Sequence, residues 1–165
     1  MFKYSVHITA LAVATLIATS AFAQRDAPAS TPQESAALAA SAPRDPALKP
    51  VFDEFGGKPG LVTLMNDFMD NLMADPRTRP YFAPVDRKHI KAELVDQFCV
   101  ILDGPCTYTG ASMASVHKGM GVNRAAFNAL VEDLQTAMNK NHVPFRAQNK
   151  LLAKLAPMSK VIINK

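Results

Sequence analysis

The chain has 165 residues, with 18 basic and 14 acidic side chains and a formal charge of +4. That balance is mild and the two signs are mixed along the sequence rather than gathered into a basic stripe, which argues against a nucleic-acid-binding surface. Two cysteines among many Leu and Met residues exclude a small scaffold built on disulfides.

Taken in chain order, the first 23 residues read as an export leader. Lys3 supplies a positive charge, Ile8 to Ala18 form an apolar run, and Ala21-Phe22-Ala23 makes a small-x-small cleavage site before Gln24. The run is short for a transmembrane helix, so cleavage after Ala23 is expected. The mature protein is then exported, with the periplasm as the first expectation, and is not held in a membrane. Cleavage removes Lys3 and leaves 17 basic against 14 acidic residues, a balance of +3. From Gln24 to Pro50 the composition turns to Ala, Pro, Ser and Gln, with almost no large apolar residue before Leu48. Such a stretch buries too little surface to offset its ordering entropy, and residues 24–50 are expected to be a flexible tether. Residues 51–165 then form one domain.

Within that domain no stretch alternates convincingly with period two, whereas helical spacing recurs, so an all-α fold is expected. Leu61, Leu64, Met65, Phe68, Met69, Leu72 and Met73 mark one face of a helix that Asp75-Pro76 ends. After a short turn from Arg77 to Phe82, Asp86 is placed to cap a second helix carrying Ile90, Leu94, Phe98, Ile101 and Leu102. Gly104-Pro105 terminates it. Asn123 caps a third, with Phe127, Leu130, Val131, Leu134 and Met138 facing inward, and His142-Val143-Pro144 breaks it. The last runs from Phe145 to Ile163, where Pro157 kinks it or splits its hydrogen-bond ladder. Cys99 and Cys106 flank the turn Asp103-Gly104-Pro105; their spacing suits a bridge and two separate thiols equally well, and matches no zinc or Cys-x-x-Cys-His pattern.

Val116-His117-Lys118-Gly119-Met120-Gly121-Val122 puts one imidazole at the end of a short apolar-patterned turn, followed by two glycines and a helix cap. Glycines let the backbone turn sharply, so a histidine here can hold its ring at a fixed angle over a flat cofactor. The alternative is a core or capping histidine. Against it, the stretch from Tyr108 to Val122 has too few apolar residues to pack for its own sake, yet Met113 and Val116 point to its being held against something. His142 sits at a helix end, where a surface role near the terminal carbonyls fits, and His89 stands one step before Ile90 on the second helix, off the position that carries the apolar face.

Together these features resemble the truncated haemoglobins, most closely their group I. The matching positions are Phe55-Gly56-Gly57, Asp67-Phe68, Asp75-Pro76-Arg77, Tyr81-Phe82, Gly104-Pro105, Tyr108-Thr109-Gly110, Met113, Val116-His117-x-Gly119-x-Gly121-Val122 and Leu155-Ala156-Pro157, in uninterrupted order. The resemblance implies a two-over-two helical sandwich around haem b, with His117 as the proximal iron ligand. It also implies Phe82 against the porphyrin, Met113 on the proximal turn, and Phe68 and Phe98 lining the pocket and the gas route. Lys91 takes the place of a propionate partner, with a solvated surface lysine as the other reading.

One departure stands out. Where the family's pattern has a tyrosine after the Asp-Phe pair and a glutamine four residues past the gate, this chain has Met69 and Leu94, with Ile90 at the gate. None of the three donates a hydrogen bond. Gln97, one turn after Leu94, reads as exposed, with an inward reach as the alternative. Met69 is either flexible pocket filling or a second axial ligand. Three functions follow. The first is a haem protein binding oxygen, nitric oxide or carbon monoxide at ferrous iron, with nitric oxide dioxygenation and a reductase or electron donor implied by the family. The second is a His/Met-ligated electron-transfer protein, and the third a haem-free helical interaction module.

Overall fold

Residues 31–165 are the part of the chain that the computed structural model describes, and among them α-helices carry the fold with no strand. The expected leader and residues 24–30 lie outside the described residues. The central helix is α3, Gly57–Ala74, which buries Leu61, Leu64, Met65, Phe68, Met69 and Leu72. Its apolar residues recur at three- and four-residue intervals, so one stripe faces the core. Asp75 leaves the helix in extended backbone, and the one-turn helix α4, Arg79–Phe82, follows.

Helix α5, Arg87–Ile101, starts where the Asp86 carboxylate accepts from the backbone N–H groups of Lys88 and His89, at 3.0 and 3.2 Å. Helix α7, Arg124–Lys140, starts in the same way, with the Asn123 side chain accepting from Ala126 N–H at 2.9 Å. The one-turn helix α6, Met113–Val116, lies between them. Helix α8, Phe145–Leu155, gives way to a 3-10 turn, Ala156–Met158, and then to α9, Ser159–Ile162. Pro157 splits the run, because it lacks an N–H and its ring crowds the carbonyl a turn earlier.

α3 packs most extensively against α5 and α7, and α8 leans on α5 and α7. The inward face of α7 differs from the expected one. Ala126, Ala129, Leu134, Ala137 and Met138 are buried, while Phe127, Leu130 and Val131 are only half-buried. Three alanines take buried positions on α7, and the larger residues Phe127, Leu130 and Val131 are left half-buried beside them.

The segment expected to be a tether is structured from residue 32 onward. It forms α1, Pro32–Ser41, a 3-10 turn, Pro46–Leu48, and α2, Lys49–Glu54. Composition misleads here because polar anchors hold what apolar burial cannot. Arg44 donates to Asp103 (2.9 Å), the Gly104 carbonyl (3.1 Å) and the Cys106 carbonyl (3.0 Å). Lys154 pairs with Asp45 at 2.7 Å, and Ser41, Ala42 and Leu48 are buried.

Cys99 and Cys106 are joined as a disulfide, with Cα atoms 5.9 Å apart, so the bridge closes the turn after α5. A β-carbon at Gly104 would lie 2.5 Å from Cys99 Sγ and 2.6 Å from the Phe52 ring, so glycine alone fits there. No helix among the described residues is long and apolar enough to cross a membrane.

Candidate functional site

His117 closes α6 and its ring is held by that helix's own backbone. Ser112 caps the turn, its hydroxyl accepting from Ser115 N–H at 3.3 Å. His117 Nδ1 lies 2.8 Å from the Met113 carbonyl oxygen. A carbonyl only accepts, so the proton sits on Nδ1 and the Nε2 lone pair is free to donate to a metal. A ligating imidazole is usually oriented in this way by a partner for its other nitrogen.

The backbone after His117 is fixed as tightly. Gly119 and Gly121 have φ of +76° and +67°, the left-handed region that side chains with a β-carbon rarely enter. At Gly119 a β-carbon would meet nothing within 4 Å, so the demand there is conformational rather than steric. The Asn164 side-chain amide donates to the His117 carbonyl at 2.5 Å, and its backbone N–H donates to the Val122 carbonyl at 2.9 Å. Tyr81 donates to the Gly121 carbonyl at 3.4 Å. Sequence reasoning missed Asn164, because a lone polar residue next to the last position carries no periodic or motif signal.

The other site candidates divide by burial. Phe68, Met69 and Phe98 are 2%, 4% and 3% exposed and belong to the core cluster. Phe82 of α4, Ile90 and Leu94 of α5, Met113 of α6 and Leu130 of α7 pack on that cluster yet stay partly open. Lys91 donates to Asn66 on α3 at 2.7 Å. Gln97 corrects the sequence reading: it is 3% exposed, and its amide donates to the Ser41 carbonyl at 2.6 Å. Its cover and its partner come from the segment expected to be a tether.

These residues fit a haem better than a bare ion. Among the described residues no group of three or more His, Cys, Asp or Glu is arranged to hold a metal. A macrocycle brings its own ring nitrogens and asks the protein for one axial donor and an apolar slot. His117 Nε2 is such a donor, and the half-open residues of α4, α5, α6 and α7 are apolar surface of the right kind.

Two motif positions act as braces. Asp67 on α3 accepts from Lys140 and from the Asn141 amide, each at 2.7 Å, at the end of α7. The Lys140 bond, then the Asn141 bond, hold its carboxyl below the ordinary value of 3.8. Arg77 spans Asp75 and Glu132, at 2.6 and 2.8 Å, and these contacts push its guanidinium above its ordinary value.

Helices α3 and α5 against α7 and α8, with one imidazole presented at the end of a single-turn helix, define a globin of the two-over-two kind. The chain belongs to the bacterial-like globin family, whose model matches residues 50–164, and within it to the truncated haemoglobins. It is 29% identical over 109 residues to a group 1 truncated hemoglobin of Mycolicibacterium paratuberculosis, a match covering 66% of this chain and 80% of that one. A group 1 truncated hemoglobin of Tetrahymena thermophila is 30% identical over 90 residues, covering 54% of this chain and 74% of the relative. Among solved structures, the Fe(III) truncated hemoglobin of Tetrahymena pyriformis superposes with a TM-score of 0.66 at 24% identity, over 70% of this chain and 98% of that one. The 2/2 hemoglobin of Synechococcus sp. PCC 7002, in its cyanomet state with covalently attached heme, gives 0.64 at 18% identity over the same shares.

Proposed function

We propose that this protein is an exported haem b protein that takes up a diatomic gas, whether oxygen, nitric oxide or carbon monoxide, on ferrous iron held by His117 Nε2. The observation that carries this reading is the 2.8 Å contact between His117 Nδ1 and the Met113 carbonyl, which fixes the tautomer a ligand needs. Haem, when bound, supplies the redox-active centre and the open coordination position. The chain's part is to orient the imidazole, enclose the macrocycle with apolar side chains and exclude water.

On the distal side the chain offers no hydrogen-bond donor from Met69, Ile90 or Leu94. A gas held without such a bond exchanges quickly, which supports a role in transient gas handling over high-affinity oxygen storage. Nitric oxide dioxygenation, with a reductase or other electron donor restoring ferrous iron, is the enzymatic reading that the family suggests. Burial of Met69 within the core cluster supports pocket filling over ligation. Export is supported by the leader-like N-terminus and by the Cys99–Cys106 bridge, which suits an oxidising compartment.

The test is a haem titration of residues 24–165 beside the His117→Ala variant. The proposal expects stoichiometric uptake by the parent chain, loss of that affinity in the variant and its recovery on adding free imidazole. Equal uptake by the two proteins would assign the ligand elsewhere.

A further inference from the structure

We infer that Ser41, at the end of α1, is a positioning residue for His117, so that the segment ahead of the family-matched residues belongs to the proximal ligand's support. The inference rests on the reading of His117 as an iron ligand. The bonds run in one unbroken series. Ser41 Oγ donates to the Ala37 carbonyl at 2.9 Å and accepts from Met113 N–H at 2.8 Å. Met113 is the first residue of α6, and an N–H at a helix start has no partner within its own helix. The carbonyl of the same residue accepts from His117 twice, from the ring Nδ1 at 2.8 Å and from the backbone N–H at 3.2 Å. A shift of Met113 therefore moves the imidazole with it.

Ser41 is in turn fixed to the opposite wall. Its carbonyl accepts from the Gln97 amide at 2.6 Å, and Gln97 lies one turn along α5 from Leu94. Ser41 and Gln97 are 4% and 3% exposed, so water does not compete for these bonds. Arg44, three residues on, grips Asp103 and the carbonyls of Gly104 and Cys106, at the start of the loop that leads to α6. The family match begins at residue 50, so neither Ser41 nor Arg44 lies within it.

The test compares Ser41→Ala and Ser41→Thr with the parent chain, residues 24–165, without and with haem. In the haem-free protein, amide exchange at Met113 and the ring nitrogen shifts of His117 are read by NMR. In the ferrous protein the iron–histidine stretching band is read by resonance Raman. The inference expects Met113 exchange in Ser41→Ala to speed up by roughly five- to tenfold, as for one lost hydrogen bond. It also expects altered His117 ring shifts and a displaced or broadened iron–histidine band, at unchanged helix content, with Ser41→Thr restoring all three. Faster Met113 exchange with unaltered ring shifts and band would reduce Ser41 to a cap for α6 and overturn the inference. No iron–histidine band in the parent chain would instead remove the ligand reading, and the haem-free ring shifts would still decide whether Ser41 sets the imidazole. Should Ser41→Ala fail to fold, Ser41→Cys, which keeps the size of the side chain and weakens its bond to Met113 N–H, takes its place. The same displacement is then expected, and its absence overturns the inference.

Discussion

His117 is set by the length of one helical turn: the carbonyl four residues back is where its Nδ1 proton goes. On the proposed distal side, Met69, Ile90 and Leu94 lack a hydrogen-bond donor. Restoring a donor there has a calculable effect, since a hydrogen bond to a partly charged acceptor contributes about 1.5 to 3 kcal/mol. If that falls on escape of the gas, Leu94→Gln slows oxygen dissociation by about tenfold to a hundredfold, measurable by stopped-flow displacement with carbon monoxide. An unchanged rate would mean that position 94 does not face the ligand. At this scale the turn around His117 was legible, because two glycines after a histidine are a local pattern, and both take up the left-handed backbone that the pattern allows. Gln97 was not, because its partner is the carbonyl of Ser41, which lies 56 residues away in sequence.

Elements are tied together here by polar contacts at their ends. Asp67 joins the middle of α3 to the end of α7, and the bonds that depress its pKa stabilise the fold while it is ionised. A carboxylate with a depressed folded-state pKa contributes its full stabilisation above the ordinary carboxylate range. That contribution is lost as pH falls through the depressed value. Asp67→Asn should therefore be less stable than the parent near neutrality and show a shallower loss of stability below about pH 4, read from urea midpoints across the acid range. Parallel acid profiles for the two proteins would show that this brace does not contribute. The Cys99–Cys106 bridge acts on another link, the entropy of the unfolded chain. For a sequence separation of 7, reduction should cost about 2 to 3 kcal/mol, seen as a lower urea midpoint with thiol reductant. A Cys99→Ser, Cys106→Ser double variant should show no reductant effect.

The helices themselves were readable because their starts and stops are chemical. Asp86 and Asn123 cap as their side chains require, and Pro157 breaks the last helix as its ring requires. The α7 face was less legible because periodicity ranks large apolar residues first, while alanines fill three of its buried positions.

For the molecule as a whole, the family resemblance carried the two-over-two fold, while composition failed ahead of residue 50. Residues 32–48 hold one large buried apolar side chain, Leu48, so no hydrophobic pattern marks the segment as structured. Its order comes from Arg44, Asp45 and both the hydroxyl and the carbonyl of Ser41, whose partners lie on α5, α6, α8 and the loop between α5 and α6. Those contacts exist only once the domain is folded. Each of them spans the fold, so deleting residues 24–45 should lower the stability of the haem-free domain by about 1 to 3 kcal/mol through the loss of these bonds. A urea midpoint unchanged by the deletion would show the segment to be merely resting on the surface.

The central claim is that His117 alone binds the iron and leaves its other face open to a gas. The most direct measurement is the absorption spectrum of ferrous, haem-reconstituted residues 24–165 before and after carbon monoxide. The account predicts a five-coordinate ferrous spectrum that shifts promptly on adding the gas, whereas sharp six-coordinate bands that resist carbon monoxide would contradict it by placing a second protein ligand, Met69 foremost, on the iron.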